Sequence, residues 1–162
     1  MNNFEIAING VRLASNLLGI KPPEVTCFID DNLNCKGINS MFLKDAYEIS
    51  FSSEWIEMST WLEILAACFH EARHAFQYVF IRAEYNGKEK ISDEEIKVWK
   101  QEISSYEQPS GILENDEFYL NQEIEIDAIA YAHYQMYKQF KVKTVIPISI
   151  LCKVKSRLTL FV

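Results

Sequence analysis

Apolar residues Ile8, Val11, Leu13, Leu17 and Leu18 fall at roughly helical spacing through Phe4–Leu18, and Gly19 followed by Pro22-Pro23 ends the run. Three short stretches then alternate as strands do: Glu24–Ile29, Gly37–Leu43 and Ala46–Phe51, with turn chemistry at Asp30–Asn34 and a bend at Ser52-Ser53. The first third therefore predicts one helix followed by a three-stranded antiparallel sheet. Thr60 with Glu63 three residues on forms a capping box for a helix running to about Tyr85, before Asn86-Gly87. That helix is apolar nearly all round through Trp61–Phe69, as expected of one that crosses the centre of a domain. Ser92 caps a charged helix over Asp93–Ile103, and Ser104–Asn115 reads as loop. A last long helix is expected over Glu117–Phe140. Beyond Val142 the pattern fits either a helix opened by Pro147 or an extended segment over Thr144–Leu151.

A chain of 162 residues makes one domain with a substantial core, 1–162, with 141–162 as a basic tail of unassigned structure. The net charge of -7 is unevenly placed. All 23 acids precede Ala128 and face only 10 bases there, while the residues from Ala128 onward carry six bases and no acid. An acidic body argues against nucleic-acid binding, which needs a basic face to neutralise phosphates. The basic tail either meets an acidic partner or neutralises its own acidic domain, and the second reading is favoured because charge runs are usually solvated faces. Met1–Ile20 lacks the pattern of a secretory signal, no stretch is apolar enough to span a membrane, and Cys27, Cys35, Cys68 and Cys152 show no CxxC pairing. The expectation is a reduced, cytoplasmic chain with no membrane partner; its oligomeric state is not legible.

The chemistry sits in the central helix, in Cys68-Phe69-His70-Glu71-Ala72-Arg73-His74-Ala75-Phe76-Gln77. His70 and His74 are one helical turn apart on one face, the separation at which two imidazoles grip one zinc ion. Glu71 is rotated by ~100° from His70, beside the metal position rather than on it, as a base for a zinc-activated water must be. A catalytic zinc site needs a third protein ligand and an open position. Asn121-Gln122-Glu123-Ile124-Glu125-Ile126-Asp127-Ala128 supplies candidates. Glu123 and Asp127 share a helix face, whereas Glu125 points nearly opposite, among Asn121, Ala128, Ile129 and Ala132. A carboxylate on so apolar a face is costly unless it meets a cation, which favours Glu125. Glu123 and His133 remain open as alternatives. Arg73 paired with Asp127 would lock the two helices together. Tyr131, Tyr134 and Tyr137 recur at packing intervals, and Trp55 and Trp61 suit either core or a cleft wall.

HEARHAFQ followed by EIDAIAYA resembles the zincin metallopeptidases of the gluzincin type, and more narrowly the small ImmA/IrrE-like and related phage or mobile-element metallopeptidase domains. The matching positions are His70, Glu71, His74, Glu125, Ala128 and Tyr131-Ala132. Glu123 with Asp127 is also similar to the Glu-x-x-x-Asp arrangement of thermolysin-like enzymes. The resemblance implies an α+β zincin-like fold, with Zn2+ as cofactor and a protein or peptide substrate lying along the strand Ala46–Phe51 as sheet edge. It implies peptide-bond hydrolysis with Glu71 as catalytic base and His70, His74 and a glutamate as metal ligands. The alternatives are a non-catalytic binding module on the same fold, or a zinc hydrolase of a non-peptide amide.

Overall fold

The computed structural model describes residues 2–29, 37–110 and 116–161, so the turn expected at Asp30–Asn34, and Cys35, lie outside the described residues. The chain runs α1 (Asn3–Leu18), β1 (Glu24–Phe28), β2 (Ser40–Leu43), β3 (Glu48–Ser52), α2 (Ser53–Met58), α3 (Trp61–Ile81), α4 (Asp93–Ser104), α5 (Glu117–Leu120) and α6 (Glu123–Phe140). A short 3-10 turn, Ile148–Ile150, then leads into α7 (Leu151–Leu158). This is the mixed α+β architecture that the patterning predicts. No helix among the described residues is long and apolar enough to cross a membrane.

The sheet is not wholly antiparallel. Its order is β1-β3-β2, with β2 antiparallel and β1 parallel to β3. Lys44–Tyr47 is a connection short enough only for a hairpin, which makes β2 and β3 antiparallel. β3 is the most deeply buried strand, with Ile49 and Phe51 at 0% exposure, and so takes the centre, leaving β1 to pair on its far side. Consequently β3 is not the sheet edge. The edge strand facing α3 is β2 (Ser40–Leu43).

Asn2 and Thr60 close capping boxes with Glu5 and Glu63. Ser52-Ser53 starts a helix instead of a bend, because the Ser52 hydroxyl accepts from the Trp55 amide. α3 stops at Ile81, before Tyr85, where Ala83 turns to φ 56° and the amides of Ala83 and Glu84 fold back onto Phe80 and Val79. α3 is the central helix, packed against α1, α6 and β2. It meets α1 closely at Gly10, where an added Cβ would lie 2.8 Å from Cys68 Sγ. A second apolar cluster, Ile126, Ala130, Ile150 and Val154, docks α7 on the outer side of α6. Pro147 therefore does precede a helical tail.

The expected long helix over Glu117–Phe140 is two helices, broken at Asn121-Gln122. Gln122 is extended (φ -63°, ψ 134°), and its side-chain amide bonds both the N–H and the C=O of Glu107. The free amides of Glu123 and Ile124 at the new helix start donate to the Glu102 carboxylate from α4, each at 2.9 Å. The break resets the direction of α6 and puts Glu125 in its first turn, where the helix dipole favours an anion.

Candidate metal centre

α3 and α6 bring three donor groups to one point. His70 Nε2 and His74 Nε2 are 3.0 Å apart. His74 Nε2 lies 3.2 Å from Glu125 Oε1, and His70 Nε2 lies 3.4 Å from Glu125 Oε2. In a tetrahedral site with bonds of ~2.0–2.1 Å, ligand atoms stand about 3.3 Å from one another. The three groups thus have the spacing and the chemistry, two imidazoles and one carboxylate, of a set that can hold a zinc-sized cation. Glu125 is fully buried, so its charge needs such a partner. Burial alone would raise its pKa, but His74 and His70 hold it well below the usual carboxylate range.

Of the other two candidates, Glu123 is exposed, and among the described residues its carboxylate reaches only Lys153, at 3.9 Å. His133 binds the Thr144 hydroxyl at 2.9 Å, away from the cluster. The structure therefore brings together His70, His74 and Glu125 and leaves Glu123 and His133 apart from them.

Glu71, only 5% exposed, lines the same cleft as His70 and His74. The cleft has a volume of about 700 Å³ and is walled by β2 on one side and by Ile103, Tyr106 and Tyr119 on the other. Ser40, on the edge strand β2, donates its hydroxyl to Glu71 Oε1 at 2.8 Å and so fixes that carboxylate in place. Tyr106 and Tyr119 donate their hydroxyls to the two oxygens of Glu125, Tyr119 at 3.0 Å. Burial, together with the Glu125 charge, pushes both phenols well above their ordinary pKa, so they stay protonated and remain donors. Sequence reasoning missed Ser40, Tyr106 and Tyr119. Tyr131 lies instead under the Arg73 guanidinium, and Trp55 stacks on Phe51 in the core.

Behind the site, Arg73 Nε and Nη2 donate to Asp127 at 2.8 and 3.1 Å, the pairing expected from residue type. Both residues are buried to 1% exposure or less, and the guanidinium also stacks 4.2 Å from the Phe76 ring. Burial would raise the Asp127 pKa, but Arg73, Arg157 and Gln77 more than offset it and keep the carboxylate ionised. Arg157, from the basic tail, donates to the same carboxylate at 2.8 Å and also binds Glu95 of α4. At least part of the tail's charge thus neutralises buried and half-buried acids of the body. No protein-family model matches this chain, nor does any curated protein or any solved structure.

Proposed function

We propose that this chain is a zinc-dependent metallopeptidase, with His70, His74 and Glu125 as metal ligands and Glu71 as catalytic base. The observation that carries the reading is the convergence of two Nε2 atoms and a buried carboxylate at tetrahedral spacing, beside a second carboxylate, Glu71, that lies outside this cluster in an open cleft. A bound zinc ion would supply a water of lowered pKa and a polarised scissile carbonyl.

The remaining work falls to the chain's own side chains. Glu71, held on one oxygen by Ser40, takes the proton from the attacking water and passes it to the departing amine. A substrate peptide lies along β2, whose position as the edge strand leaves it able to pair with an extended chain. Met41 and Phe42 of that strand, with Ile103 across the cleft, offer apolar surface for substrate side chains. Tyr106 and Tyr119 hold Glu125 anionic and oriented by hydrogen bonding.

The test is cleavage of a peptide library by the zinc-loaded chain, with and without a chelator. Metal-dependent appearance of new amino termini supports the reading. Zinc binding with no cleavage of any peptide would favour a binding module, and hydrolysis confined to non-peptide amides would favour the other rival.

A further inference from the structure

Gln77 follows His74 by three residues and is fully buried, yet its side chain is not one of the zinc-binding groups. Its Nε2 lies 2.9 Å from the Ile124 carbonyl oxygen and 2.7 Å from Asp127 Oδ2, and both of these atoms can only accept. That fixes which end of the amide is nitrogen. Gln77 Oε1 must then be the atom that faces His74 Nδ1, at 2.8 Å, and this contact is a hydrogen bond only if Nδ1 carries the proton. With Nδ1 protonated, the lone pair of the neutral ring is on Nε2, the atom that points at His70 and Glu125.

We infer that Gln77 is a positioning residue for the metal centre, setting the tautomer and ring orientation of His74, with Asp127 as its fixed point. The inference rests on the proposed metal site. Asp127 is suited to that part because it cannot turn. Arg73 grips it from α3, and Arg157 grips it from α7 with its own second anchor at Glu95 on α4. Three helices thus meet at the carboxylate that holds Gln77, and α4 braces it through Arg157. The arrangement also gives the basic tail a place in the site, since Arg157 is one of the two cations that immobilise Asp127. An amide here does what a carboxylate beside a ligand histidine could not: it accepts from the imidazole through oxygen while donating to Asp127 through nitrogen.

The experiment uses the full chain with zinc alone as the probe. In the zinc-loaded wild type, nitrogen-edited NMR should show the His74 Nδ1 proton as a slowly exchanging, hydrogen-bonded resonance, with Nε2 as the metal-bound nitrogen. Gln77→Met, close to isosteric but unable to accept, should lose that protection and weaken zinc affinity by ~10–100-fold. The visible spectrum of the cobalt-substituted variant should shift as well, a change that loss of packing away from the metal would not produce. Wild-type protein that binds zinc through His74 Nδ1 overturns the inference without recourse to any variant. So does a folded Gln77→Met that binds zinc as tightly as wild type with an unchanged cobalt spectrum; in both cases the site itself stands. Failure of the wild type to bind zinc at all would instead overturn the proposed function.

Discussion

In the metal-free protein His74 faces the Glu125 carboxylate at 3.2 Å, and this contact makes stability depend on pH in a definite direction. Burial pulls the His74 pKa down. The Glu125 carboxylate at 3.2 Å, with smaller contributions from Glu71 and Gln77, outweighs burial and pushes it up to about 9. In the unfolded chain a histidine titrates near ~6.5. The folded state therefore holds the proton more tightly, so the stabilisation is complete below pH ~6.5 and is lost as pH rises through about 9. At ~1.4 kcal/mol per pH unit, the gap between the two values is worth roughly 3 kcal/mol. Urea unfolding with a chelator present, at about pH 6 and about pH 9.5, should show a loss of that order. In Glu125→Gln the loss should largely disappear, because the charge that raises the pKa is gone. A zinc ion competes with the proton for the same nitrogen, so apparent zinc affinity should rise ~10-fold per pH unit below that pKa. Chelated wild-type protein whose stability is flat across this window would refute the assignment of His74 as an imidazolium paired with Glu125.

Two further outcomes are expected. Glu125→Gln should lower zinc affinity by at least ~100-fold, whereas Glu123→Gln should change it little, since Glu123 is exposed and pairs with Lys153, away from the histidines; titration against a competing chelator measures both. Asp127→Ala should cost ~3–5 kcal/mol by urea unfolding, because it leaves the Arg73 guanidinium buried at 1% exposure with its nearest acid, Glu89, 3.6 Å from Nη1.

Much of the candidate site was legible because it is local. His70, Glu71 and His74 lie within little more than one helical turn, so their relative directions follow from helix geometry alone. Glu125 was legible through its misfit, an acid among apolar neighbours. Arg73 and Asp127 were paired by type, one on each of the two helices. What escaped depends on contacts between distant segments. Alternation along β1 marks the faces of the strand but not its neighbour, so the parallel pairing with β3 could not be read from it. The break at Asn121-Gln122 contains neither glycine nor proline; it is made by Gln122 bonding Glu107 and by Glu102 capping the next helix from α4. Tyr106 and Tyr119 sit in stretches that read as loop and helix start, and nothing in their spacing points to Glu125. Ser40 reaches Glu71 only because β2 is the edge strand that faces α3.

The most direct test of the central claim compares wild type with Glu71→Gln at equal zinc occupancy. Glu71 lies beside the ligand cluster rather than in it, so the variant should fold and bind zinc nearly as wild type does. Loss of the base should still slow peptide cleavage by ~100- to 10,000-fold, leaving a protein that holds its substrate without cutting it. Cleavage by Glu71→Gln at the wild-type rate would contradict the account, even with every zinc ligand correctly assigned.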